Sequence, residues 1–194
     1  MWVSREEGGH DMRSMWKMAG LVVMGVWMAN LAQGADGAAA RIELGKFRVT
    51  APESWKRTEP KSPIISYEFA VPKVEGDAQD GRMTVMAAGG GAEANIERWF
   101  GQFTQPDGKS TKERSKVEKL KVAGQQVHLV DISGTFDDKP APRLPGVKRE
   151  KYRMLGAIIE TNEAMFFLKF YGPERTVDEY AKQFRQMVDG LQSN

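Results

Sequence analysis

The stretch QVHLVDISGTF, residues 126–136, decides how the rest of the chain is read. Val127 and Leu129 fall on one parity of an extended strand, Val130 and Ile132 on the other. A strand with one wet face alternates apolar and polar side chains; a strand apolar on both parities is covered on both faces. These residues therefore predict a central strand with helices packed on either side.

The neighbouring segments supply the sheet. Residues 116–122 and 126–136 flank Ala123-Gly124-Gln125 and read as a hairpin. Residues 152–161 and 165–171 make a second hairpin around Asn162-Glu163-Ala164, with Phe166, Leu168 and Phe170 on one face. A loop carrying Pro140, Pro142 and Pro145 joins the two hairpins. Upstream, residues 46–51, 64–71 and 82–88 read as strands. In the second of these, Ile65, Tyr67, Phe69 and Val71 share a face while Ser66 and Glu68 take the other, a half-buried pattern.

Two helices are predicted. One starts after Gly89-Gly90-Gly91 and places Ile96, Trp99, Phe100 and Phe103 on one face. The other begins with TVDE at 176–179, read as a capping box, and carries the stripe Val177, Tyr180, Phe184, Met187, Val188 and Leu191. Gly190 near its end suits a left-handed turn. Hairpins with two interspersed helices give an α+β fold, an α/β/α sandwich on a central antiparallel sheet. There is no internal repeat, so the domain is expected to be single, over residues 35–194.

The first 34 residues differ in composition. Residues 18–32, MAGLVVMGVWMANLA, form an uncharged apolar run preceded by Arg13 and Lys17 and followed by Ala32-Gln33-Gly34. A basic segment, an apolar run and a small-x-small site are the marks of a signal peptide. Cleavage after Gly34 is the first choice and after Gly37 the second. Glu6, Glu7 and Asp11 suit a leader poorly, so a true start at Met12 or Met15 is expected. An uncleaved anchor is the alternative, although a span needs about 20 apolar residues. The expectation is export to the periplasm or beyond the cell, with no transmembrane span after cleavage.

Composition narrows the function. The chain has 194 residues, 28 Lys+Arg against 26 Asp+Glu, a net charge of +2, no Cys and 2 His. Without Cys there is no disulfide framework, thiolate metal site or Cys nucleophile. The near-neutral balance gives no footprint for nucleic acid. Removing the leader takes six of the 11 Met, three of the 5 Trp and one of the 2 His, so the apparent Met richness belongs to the leader.

Several segments carry a resemblance. PESW at 52–55, EANIERWFGQF at 93–103, QPDG at 105–108, VHLVDISGT at 127–135 and YRMLGAIIE at 152–160 resemble a group of exported bacterial proteins. That group shares the fold of PsbP, the extrinsic photosystem subunit, and of the Ran-binding Mog-type proteins. The resemblance spans residues 41–191 and implies the α/β/α sandwich. It implies no site residue, because neither a Ran-binding surface nor a photosystem metal set can be matched position by position, and one fold serves unrelated functions.

The candidate sites are therefore argued from the residues. The segment 139–151, KPAPRLPGVKREK, gathers Lys139, Arg143, Lys148, Arg149 and Lys151 against Glu150, and reads as a surface for an acidic envelope or extracellular protein partner or for membrane headgroups. Gly89, Gly90 and Gly91 precede a helix whose free N–H groups could hold an anion. GKST at 108–111 lacks the earlier glycine of a phosphate loop, since Phe103 stands there, and reads as a turn. His128 lies on the opposite strand face from Asp131 and Ser133, which opposes a triad. Asp137 and Asp138, even with Asp131 or Glu160, fall short of a calcium shell. Trp55 and Trp99 are carbohydrate-platform candidates, with Trp99 expected in the core and Trp55 at a sheet edge. No nucleophile–base pair, metal cluster or cofactor motif emerges, so no cofactor is expected. The reading is an exported non-enzymatic binding domain; the alternative is a small-molecule binder or enzyme using scattered acidic groups.

Overall fold

A computed structural model describes residues 39–139 and 144–194; the leader, its cleavage site and Arg143 lie outside the described residues. The elements, in order, are β1 (Arg41–Leu44), β2 (Phe47–Thr50), β3 (Lys56–Thr58), β4 (Tyr67–Val71), β5 (Gly81–Ala88), α1 (Ala92–Phe100), β6 (Phe103–Thr104), α2 (Thr111–Arg114), β7 (Lys116–Val122), β8 (Gln125–Asp138), β9 (Val147–Glu160), β10 (Met165–Pro173), α3 (Glu174–Asp189) and β11 (Gln192–Ser193).

The main sheet runs β3-β4-β5-β10-β9-β8-β6, with β7 paired to β8. Every pairing is antiparallel. β8, the strand apolar on both parities, is flanked by β9 on one side and by β7 and then β6 on the other. Its two faces feed two cores. Val127 joins Ile159, Leu168, Phe170 and the stripe of α3. Val130 and Ile132 join Met154, Ile158, Phe167 and the Ile96, Trp99 and Phe100 face of α1. The small sheet β1-β2-β11 closes the α3 side with Ile42, Leu44 and Val49. The α/β/α arrangement is thus the one that the residues of β8 demand.

The turns follow local chemistry. Ala123 and Gly124 both have positive φ, 47° and 79°, the geometry a two-residue hairpin turn needs to match strand twist. Gly108 has φ of 72°, and Asp107 Oδ1 accepts from the Lys109 N–H, so GKST is a turn.

Several expected boundaries differ. Phe103 is not on the helix; α1 stops at Phe100 and Phe103 pairs with Phe136. β4 starts at Tyr67, and Ile64 is 67% exposed. β1, whose Arg-Ile-Glu-Leu alternates over only four residues, and β3, which does not alternate, were not expected. The last helix begins at Glu174, not Thr176, and Gly190 has an ordinary φ of −80°. Thr176 is therefore not a capping hydroxyl. Asp77, 99 residues away in the chain, supplies the capping group: its Oδ2 accepts from the Thr176 N–H (3.0 Å) and hydroxyl (2.6 Å). The Thr176 hydroxyl in turn accepts from the Val74 N–H. Asp77→Ala should cost about 1–2 kcal/mol in urea denaturation, as for a lost helix cap. An unchanged midpoint would show that the first turn of α3 needs no outside acceptor.

Candidate functional site

One face of the main sheet is only partly covered. α1 has nine residues, and its apolar face reaches β8, β9 and β10. On the same face, the even-numbered positions of β4 and β5 lie beyond it. There Glu68, Arg82 and Tyr171 form a row across β4, β5 and β10, with Arg82 directly opposite Tyr171. Tyr152 on β9 and Gln79 in the loop before β5 continue the row. Together they floor a cavity of about 440 Å³ whose rim includes Glu59, Lys61, Asp80, Asp138 and Arg149.

The floor is a hydrogen-bonded array. Arg82 Nε and Nη2 donate to Glu68 Oε1 and Oε2 at 2.8 and 2.9 Å, and Nη1 donates to the Tyr171 hydroxyl. Glu68 also accepts from the Lys61 N–H at 3.0 Å. Its carboxylate is 2% exposed and fully engaged. The Arg82 hydrogen bonds hold the Glu68 carboxyl below its usual range against the opposing pull of burial. Glu68 raises the Arg82 guanidinium in return. Gln79 Nε2 donates to the Tyr152 hydroxyl. Burial pushes both phenols up, so Tyr152 and Tyr171 stay protonated through neutral pH.

Lys169 lies on the same face, toward α1. Its Nζ donates to Gln102 Oε1 and sits 5.1 Å from the centre of the Phe136 ring and 4.8 Å from that of Tyr171. No carboxylate within salt-bridge distance is found for it among the described residues. Burial, and then the nearby Arg82, lower its pKa from 10.5 to about 7.

The basic segment borders this cavity. Arg149 lines it, paired with Asp138 at 3.4 Å. Lys139 and Lys148 both reach Asp137, at 3.0 and 3.4 Å, while Lys151 is exposed. The two aspartates considered for a cation are thus spent on the neighbouring basic side chains. No metal-holding group of His, Asp and Glu occurs among the described residues.

The other candidates fall elsewhere. Gly91 caps α1 in extended geometry, Gly90 has φ of 88°, and the Asn95 side chain donates to the carbonyls of Gly89 and Gly91. His128, 4% exposed, meets Glu160 Oε1 at 2.5 Å through Nε2. Asp131 is on the opposite face with Arg153, which also reaches Asp178 on α3. Strand parity separates the triad members, as expected. Trp99 is core, as expected; Trp55, expected at an edge, is 4% exposed and packs on Phe170 with centroids 5.2 Å apart. Neither indole is a platform.

Sequence reasoning missed Glu68, Arg82, Tyr152 and Tyr171. The one available signal was a carboxylate at the centre of an otherwise apolar strand, IISYEFAV, facing a strand that opens with arginine.

No family model and no curated protein matches the chain. Solved structures do. Cyanobacterial PsbP (CyanoP) from Synechocystis aligns over 86% of this chain and 99% of its own, with a TM-score of 0.50 and 11% identity. The Saccharomyces cerevisiae Ran-binding protein Mog1p aligns over 80% and 95%, with a TM-score of 0.46 and 12% identity. A Pseudomonas aeruginosa protein of unknown function, PA94, aligns over 81% and 99%, with a TM-score of 0.46 and 13% identity. The chain has the PsbP-like α+β fold, with helices on both faces of an antiparallel sheet.

Proposed function

We propose that the protein is an exported, non-enzymatic binding domain that docks a protein partner at the cavity end of its sheet. The observation carrying this is the placement of apolar surface. Among the described residues, Ile64, Val117, Leu144 and Val147 are the exposed large hydrophobic side chains. Three of these four lie on the two segments that border the cavity: Ile64 beside Lys61, and Leu144 and Val147 on the connection and strand that face Asp138. Single exposed hydrophobic residues are ordinary; three of them near one concavity, beside Arg149, support an interaction surface, which Lys139, Lys148 and Lys151 extend along the same segment. Arg143 belongs to the same segment by sequence. Gly89, Gly90 and Gly91, at the N-terminus of α1, are the secondary anion site of this reading.

The test is affinity capture from envelope extract with the parent protein and with an Ile64→Glu, Val147→Glu, Lys148→Glu variant. All three side chains are exposed, so the fold should be unaffected. Buried apolar anchors carry most of an interface's energy, so capture should fall by at least about tenfold. A partner retained equally by both proteins would sink this surface as the docking site.

A further inference from the structure

The cavity beside that surface has a chemistry of its own. Two of its charge pairs are internal, Arg82 with Glu68 and Arg149 with Asp138, while on the rim the cation Lys61 stands among the acids Glu59 and Asp80. A charged ligand would meet like charge as well as opposite charge on that rim. The floor and rim also differ in what they offer. In the floor, Glu68 is saturated by Arg82 and Lys61, while both phenol oxygens already accept, from Gln79 and Arg82. Among the described residues neither phenol hydrogen has an acceptor. The floor therefore offers donors, and these stay donors because burial keeps the phenols protonated. The rim, through Glu59 and Asp80, offers acceptors, with Asp138 held by Arg149.

A ligand group that both accepts and donates, and carries no charge, matches a donor floor under an acceptor rim. The hydroxyl does both at a single atom, where a carboxamide divides the two roles between its oxygen and its nitrogen. A carboxylate or phosphate only accepts and meets Glu59 and Asp80 beside Lys61; an ammonium only donates and meets the phenol donors and Lys61. We propose that this cavity binds a neutral, hydroxyl-rich small ligand of the saccharide class, with Tyr152 and Tyr171 donating to its hydroxyls and Glu59 and Asp80 accepting from them. The volume, about 440 Å³, lies within the range of small-molecule pockets. This site goes beyond the partner-docking surface and does not depend on it.

The test is a heteronuclear NMR titration of the purified protein with glucose, N-acetylglucosamine, cellobiose, succinate, inorganic phosphate and putrescine. At least one saccharide should shift the amides of Gln79, Arg82 and Tyr152 saturably, at millimolar concentration. Tyr152→Phe and Tyr171→Phe keep the rings and remove one donor each; each should weaken that saccharide by about tenfold while the rest of the spectrum is unchanged. Silence of all three saccharides at these amides would overturn the proposal. So would binding of succinate, phosphate or putrescine there in their place, or equal saccharide affinity in both phenylalanine variants. The Ile64→Glu, Val147→Glu, Lys148→Glu variant keeps the floor and should bind saccharide as the parent does, which separates failure of this site from failure of the docking surface.

Discussion

Lys169→Met should stabilise the protein at neutral and mildly acidic pH and remove a pH dependence that the parent shows. In the folded chain, burial and Arg82 lower the Lys169 pKa from 10.5 to about 7. Between those values the unfolded state holds a proton that the folded state does not. Unfolding then takes up a proton, so parent stability rises with pH, by at most about 1.4 kcal/mol per unit. Below neutral pH the folded state must carry the ammonium under α1, and the cost is present in full. The side chain's neighbours are Gln102 after α1, Arg82 on β5, Phe136 and Asp138 on β8, and Tyr171 on β10. Among the charged neighbours only Asp138 favours the ammonium, and it is already shared with Arg149; the Gln102 oxygen and the faces of Phe136 and Tyr171 favour it too, and burial outweighs them.

Methionine fills a similar volume with no charge. The variant should gain about 2 kcal/mol near pH 6, as buried charges replaced by apolar groups often do. Urea midpoints from about pH 6 to about pH 9.5 are the measurement, since the raised tyrosines begin to oppose the trend above that range. Parallel curves for parent and variant would show that Lys169 keeps its proton in the fold.

Gly156→Ala should be strongly destabilising. Gly156 lies mid-sheet, opposite Val130 on β8 and Lys169 on β10. A Cβ there would stand 2.3 Å from Cζ3 of Trp99. The indole cannot easily retreat, because it is 7% exposed and packs edge-on against Phe167 at 6.2 Å. The missing side chain of Gly156 is what lets α1 lie close to the sheet. Overpacking of this kind costs about 1–3 kcal/mol, and the upper end is expected. Gly89→Ala, with no atom within 4 Å of its added Cβ, should change stability by less than about 0.5 kcal/mol. Combining Gly156→Ala with Trp99→Leu should recover part of the loss, because the smaller side chain vacates the contact. A cost for Gly156→Ala no larger than that for Gly89→Ala would refute the close-packing account of α1.

Much of the fold was legible because its signals are periodic. The hairpins around Ala123-Gly124 and Asn162-Glu163 follow from alternation broken by turn residues, and α3 from a stripe at helical spacing. β1 and β3 were missed because three or four residues hold too little alternation to register. Phe103 was drawn into the helix because its spacing from Phe100 suits a helical face; it left because Phe136 offered a strand partner. Glu68 misled most. Alternation assigned it to the wet face of a half-buried strand, yet it is buried in the cavity floor, where Arg82 neutralises it.

The sequence by itself determined a two-faced antiparallel sheet, a helix against each face and a cysteine-free core, because these depend on the order of apolar and polar residues along the chain. Tertiary structure alone decided the cavity. Its floor joins residues 14 and 89 positions from their partners, Glu68 and Tyr171 around Arg82, and the cap of α3 joins Asp77 to Thr176 across 99. Such pairs leave no periodic trace. They form where a helix of nine residues ends too soon to cover a sheet, and the polar side chains left beneath must satisfy one another.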